Sequence, residues 1–283
     1  MSVQAKNVAL VTGSSSGIGF ETALILARNG FHTYASMRNL EKSKDITQIA
    51  HKEKLPLQVV KLDVNSDTSV KDAVDQIVKE NKRIDVLINN AGYGLFGSLE
   101  DTSIEEIKAQ FETNFFGVIR VTQQVLPVMR KQKSGTIVNV SSVGGRIGLP
   151  CLSAYHSTKF AVEGLSESMS YELDSFGIRV VIIEPGVIRT NIMNSSVLAK
   201  KALDPKSPYS SLIQKVENSF ESMLKNAASP PEEVAKVILQ AISSESPRLR
   251  YTAGNDADDI IRARITMSDA EFANLIKQQF LSQ

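Results

Sequence analysis

A phenol and an ammonium stand four residues apart in Tyr155-His156-Ser157-Thr158-Lys159. On a helix, positions i and i+4 lie one above the other on the same face. Tyrosine ordinarily titrates at about 10 and is a poor acid or base at neutral pH. A lysine cation held alongside favours the phenolate and lowers that value. The pair can therefore carry protons, although a lone Tyr-x-x-x-Lys is ordinarily just a solvated helix face. A second chemical feature lies near the N-terminus, in Thr12-Gly13-Ser14-Ser15-Ser16-Gly17-Ile18-Gly19. Glycines allow a tight turn and let a pyrophosphate approach backbone N–H groups at a helix N-terminus. Gly13, Ser15, Ser16, Gly17, Ile18 and Gly19 are what such a turn offers a dinucleotide.

Bringing these residues together needs a scaffold, and the chain alternates short aliphatic runs with longer helical patterns. Strands are expected at Val8 to Val11, Thr33 to Met37, Leu57 to Leu62, Asp85 to Asn89, Thr136 to Val140 and Arg179 to Glu184. They are apolar on both faces, as parallel strands between helices must be. The glycine turn follows the first strand and opens a helix from Gly19 to Asn29, which is the context that gives it meaning. Ser103 with Glu106, and Ser229 with Glu232 and two prolines, fit capping boxes. The pattern predicts an α/β fold: one Rossmann-type domain over residues 1–283, a doubly wound parallel sheet with helices on both faces. From Asn191 to about Ser229 the pattern is helical with no strand. Its place after the sixth strand's carboxyl end suggests a substrate lid, and a C-terminal extension begins after about residue 255.

Composition excludes several alternatives. Of 283 residues, 42% are hydrophobic and 22% charged, with a formal net charge of +1, so no global field draws nucleic acid or an anionic membrane. No apolar run reaches the roughly 18 residues of a membrane span. With Cys151 the only cysteine and three scattered histidines, neither a disulfide nor a dedicated metal site is expected. The expected compartment is cytoplasmic.

Taken in order, Thr12 to Gly19, Asp63-Val64, Asn89-Asn90-Ala91-Gly92, Asn114, Ser142, Tyr155-x-x-x-Lys159 and Pro185-Gly186-x-x-x-Thr190 resemble the short-chain dehydrogenase/reductase family. The match runs from about Asn7 to Asn255, and its glycine spacing is G-x-x-x-G-x-G. The resemblance implies a catalytic set of Asn114, Ser142, Tyr155 and Lys159. Ser142 would donate to the substrate carbonyl oxygen, Tyr155 would deliver the proton, and Lys159 would lower the tyrosine's pKa and hold ribose hydroxyls. Asn114 would anchor a water on the proton path. It also implies a cofactor site: Asp63 and Val64 at the adenine, Asn90, Ala91 and Gly92 along the ribose, and Tyr155 and Lys159 at the nicotinamide ribose. Pro185, Gly186, Val187, Ile188 and Thr190 would hold the carboxamide, while Asn89 braces the sheet. At the end of the second strand an acid would select NAD, but the chain has Met37 followed by Arg38. A guanidinium suits a 2′-phosphate, so NADP(H) is expected.

The substrate-side candidates are Tyr93, Gly94, Leu95, Val143, Leu149, Cys151, Ile192 and Met193, mostly apolar. They point to a small lipophilic carbonyl or alcohol. Ala35 to Leu40 and Ser142 to Arg146 resemble the 17β-hydroxysteroid and retinol dehydrogenase branch. A 3-oxoacyl-thioester reductase is the second enzymatic reading, and a non-catalytic NADP(H) sensor is the third. His156, adjacent on the helix, is expected behind the site or exposed. By resemblance the chain is expected to form a homodimer or homotetramer through the helices around Ile104 to Arg130 and Tyr155 to Phe176.

Overall fold

All four residues of Val8–Val11 (β1) are buried, so this strand leaves no face for water. The computed structural model describes residues 7–189, 197–226 and 228–281. The next strands are His32–Met37 (β2), Leu57–Lys61 (β3), Val86–Asn89 (β4) and Leu95–Phe96 (β5). They are followed by Gly135–Val140 (β6), Ile178–Pro185 (β7), Val197–Leu198 (β8) and Arg250–Ala253 (β9). Seven of them form one parallel sheet in the order β3-β2-β1-β4-β6-β7-β9. The order reverses between β1 and β4, which opens a crevice at the carboxyl ends of those strands.

Ten helices of eight residues or more lie among the described residues. In chain order they are Gly17–Arg28 (α1), Lys44–Lys52 (α2), Asp67–Asn81 (α3), Ile104–Phe111 (α4) and Gly117–Gln132 (α5). Ser153–Asp174 (α6), Ser210–Asn226 (α7), Pro231–Ser243 (α8), Ala257–Thr266 (α9) and Asp269–Leu281 (α10) complete them. One sheet face packs on α1, α2 and α8 through Leu24, Ile46, Val234 and Ile238. The other packs on α3, α5 and α6 through Ile77, Val121, Met129 and Met169. Fully burying each such side chain contributes about 1.5–3 kcal/mol. This is the expected Rossmann-type architecture. A third cluster, including Leu95, Ile147, Val216, Phe272 and Phe280, joins the loops after β4 and β6 to α7 and α10.

The differences from expectation are local. β9 is an edge strand that begins with arginine and alternates half-buried with buried positions, so it lacks the aliphatic run of its neighbours. The 191–229 region does contain a strand, since Val197–Leu198 pairs with Leu95–Phe96 outside the main sheet. Ser103 and Glu106 form their capping box. Ser229 does not: Pro230 caps α8, and the Ser229 hydroxyl accepts instead from Asn255 N–H at 3.0 Å. That bond ties the head of α8 to the loop after β9. Among the described residues no helix is long and apolar enough to cross a membrane, and no cluster of potential ligands could hold a metal.

Candidate active site

Backbone geometry explains the glycines. Gly13 and Gly17 have φ of +69° and +60°, where a side chain is strained. A Cβ on Gly13 would lie 2.8 Å from Ala91 Cα, and one on Gly19 would collide with Asn90 Nδ2 and the Gly13 carbonyl. The turn is held from the end of β4. Asn90 Nδ2 donates to the carbonyls of Thr12 (3.0 Å) and Gly13 (3.1 Å). The Thr12 hydroxyl accepts from the N–H groups of Asn90 (2.9 Å) and Ala91 (3.1 Å). The Asn90 amide nitrogen therefore braces the turn, while the residue also borders the cavity where the ribose was expected. Asn89 braces the sheet, donating to Thr122 and Asn139 at 3.0 and 2.9 Å.

A cavity of about 1340 Å³ runs along the strands' carboxyl ends. Gly13, Ser15, Ser16, Gly17 and Ile18 border one end with Arg38, which is exposed at the rim. Asp63, Val64 and the segment 90–92 follow, then Ser142, Tyr155 and Lys159, and finally the segment 185–188. Gly19 packs beneath the turn and does not face the cavity. Thr190 lies outside the described residues. Lys42 and Asp45 also border the Arg38 end, and sequence reasoning missed both.

The three groups of the expected chemistry meet where β6 ends. Ser142 caps the short helical turn Val143–Gly145 and accepts from Gly144 N–H at 3.0 Å. Tyr155 and Lys159 sit one turn apart on α6, with Lys159 Nζ 5.8 Å from the phenol ring centroid. That ammonium is buried and donates to Val140 O at 2.9 Å. Burial lowers the Lys159 pKa to about 8, with the Glu163 carboxylate acting in the opposite direction. Burial also pushes the Tyr155 phenol up, outweighing a hydrogen bond with Ser142 that favours the phenolate. The net direction is upward, and the ammonium expected to lower the phenol is itself desolvated and bonded to Val140. The phenol holds its proton at neutral pH.

Asn114 is buried in a π-helical turn, Glu112–Phe116. Its Nδ2 donates to Tyr93 O (2.9 Å) and Thr158 Oγ1 (3.2 Å), and its Oδ1 accepts from Tyr93 N–H (3.0 Å). Both Nδ2 hydrogens are used, which leaves one Oδ1 lone pair and the main chain to hold a water. Of the substrate-side candidates, Tyr93, Gly94, Val143 and Leu149 border the cavity. Leu95 and Cys151 turn into the third hydrophobic cluster, and burial lifts the Cys151 thiol to about 11. Ile192 and Met193 lie outside the described residues. Phe220 and Met223 of α7, within the segment expected as a lid, line the cavity; missed from the sequence were Ile260 of α9 and Leu275, Ile276 and Phe280 of α10. Their amphipathic spacing was visible, but not what it covers.

Behind the site lies a cluster of charge in which Glu163 and Glu184 are buried and their arginine partners reach the surface. Arg250 bonds Glu163 (3.0 Å) and Glu167 (2.5 Å), and Arg146 bonds Glu184 (3.0 Å). Glu163 stands one helical turn beyond Lys159, and burial raises its pKa.

Residues 7–201 match the model of the short chain dehydrogenase family. The chain is 36% identical to mouse 17-beta-hydroxysteroid dehydrogenase type 1, over 91% of this chain and 76% of that protein. It is 34% identical to a 3-ketodihydrosphingosine reductase of Bacteroides thetaiotaomicron, over 87% of each. A solved short-chain dehydrogenase of Streptomyces avermitilis superposes with a TM-score of 0.84 and 31% identity, covering 98% of both chains. Solved structures of this fold hold either NADP(H) or NAD, so the fold alone does not choose between them.

Proposed function

The chain belongs to the short-chain dehydrogenase family, and from that premise we propose that this oxidoreductase uses NADP(H) to interconvert a lipophilic ketone or aldehyde and its alcohol. The observation that carries the reading is the meeting of Ser142, Tyr155 and Lys159 in one cavity that also contains the glycine turn. The glycine turn, which borders the cavity at Gly13 and Gly17 with positive φ, fits a dinucleotide whose phosphates approach the backbone. Ser15 to Ile18, Asp63 and segment 185–188 would hold it, with Arg38 at the 2′-phosphate. When bound, that cofactor supplies or accepts hydride at the carbonyl carbon.

The chain's own residues manage the oxygen and the proton. Ser142 donates to the carbonyl oxygen and stabilises the charge that builds there. Tyr155, kept protonated by burial, delivers its proton to that oxygen as general acid. Lys159, charged below about pH 8, stabilises the phenolate left behind.

The apolar wall from α7, α9 and α10 favours a bulky lipophilic substrate. The two relatives described above are named for a hydroxysteroid and a ketodihydrosphingosine, both largely apolar molecules. NADPH oxidation is the test, with steroid ketones, retinal, long-chain 3-keto amines and an acetoacetyl thioester offered side by side. Turnover confined to the thioester would replace this reading with that of a 3-oxoacyl-thioester reductase. We further propose that a second copy pairs on the face where α6 exposes Phe160 and Tyr171, with light scattering as the check.

A further inference from the structure

The residue beside the proposed general acid is a buried histidine, with only 5% of its surface exposed. His156 Nδ1 lies 2.7 Å from the carbonyl oxygen of Gly144. A carbonyl can only accept, so Nδ1 carries the proton and Nε2 keeps its lone pair. Nε2 is buried without a partner among the described residues, so a second proton there would find no acceptor.

The contact is too close for any other residue at position 144. A Cβ on Gly144 would meet His156 Nδ1 at 2.5 Å and Cε1 at 2.7 Å. Only glycine lets the ring reach that carbonyl. The N–H of the same glycine donates to Ser142 Oγ at 3.0 Å. Gly144 is thus held at its carbonyl by α6 and holds Ser142 at its amide. A hydroxyl that accepts an N–H bond has one lone pair occupied and its own proton polarised towards another acceptor.

We propose that His156 is a positioning residue for the reaction. It clamps Gly144 so that the Ser142 oxygen stays in place and its hydroxyl proton, directed here at Pro185 O at 3.4 Å, turns to the substrate's carbonyl oxygen. The clamp rests on the reading of Ser142 as the donor to that oxygen. Burial disfavours the imidazolium, so the clamp stays neutral through the working pH range.

The test is steady-state reduction and NADPH binding by His156→Leu, His156→Asn, Gly144→Ala, Ser142→Ala and the double variant H156L/S142A. Removing one donor to a developing oxyanion costs about 10²–10³ in kcat. Misaligning it through H156L should cost about 10–100-fold in kcat, with KM and NADPH affinity within about twofold. The asparagine amide nitrogen can occupy the place of Nδ1, so H156N should stay within about threefold of wild type. In the S142A background H156L should cost nothing more, because both act through one hydroxyl. Gly144→Ala attacks the same contact from the other side and should lose kcat similarly, whether or not H156L folds. The clamp is overturned by wild-type kcat in H156L or G144A, or by an undiminished H156L penalty on top of S142A. Full activity in S142A would instead remove the role given to Ser142 itself.

Discussion

Lys159 donates through Nζ to the carbonyl of Val140, at 2.9 Å, pinning the helix that carries Tyr155 to the end of β6. Because Ser142 is two residues beyond Val140, this bond helps to hold the phenol near the serine hydroxyl. The proton donor and the carbonyl's hydrogen-bond donor therefore share a single mount, and its charge depends on pH.

Reduction should be steady at neutral pH and fall as pH rises through about 8, where Lys159 loses its proton. The neighbouring Glu163 carboxylate raises the Lys159 pKa, so Glu163→Gln should lower it and move the descending limb to lower pH. A displacement of about 0.5–1 unit is the expected size for one nearby charge in a partly screened site. The pH profile of kcat for both proteins checks it, and a limb displaced to higher pH would reverse the assigned sign.

Cofactor choice should depend on Arg38. Losing a charge-assisted bond to phosphate costs about 1.5–3 kcal/mol, or roughly 10–100-fold. Arg38→Ala should raise KM for NADPH by that factor and leave NADH almost unaffected. Equal use of both cofactors by the wild type would remove the role of Arg38.

Gly19→Ala should abolish or severely weaken dinucleotide binding, because the added methyl meets Asn90 Nδ2 and the Gly13 carbonyl. Gly164→Ala is the control, since nothing lies within 4 Å of a Cβ there. Titration of NADPH fluorescence separates the two. Unimpaired binding by the Gly19 variant would show that the turn does not need its present shape.

Most of this architecture could be read from the chain because its main strands are aliphatic runs and β1 is buried at every residue. The glycine turn and the Tyr155/Lys159 pair were equally legible, being local and of fixed spacing. What stayed hidden depends on contacts between distant residues. β9 lacks an aliphatic run and β5 and β8 are two residues each, so only their partners make them strands. That the Asn90 amide also holds Thr12 and Gly13 could not be read from its place in the motif. The α10 helix shows an apolar stripe in sequence, but a stripe does not say which cavity it closes. The phenol's net upward shift was not legible for a similar reason, because it comes from burial that only the folded cavity supplies.

The most direct test of the account is single-turnover and steady-state NADPH oxidation by wild type and Tyr155→Phe with a lipophilic ketone that the wild type reduces. Removing a general acid costs about 10²–10⁴-fold. The account expects a loss of that order in kcat with NADPH affinity unchanged within about twofold. Turnover by Tyr155→Phe within a few-fold of wild type would contradict it.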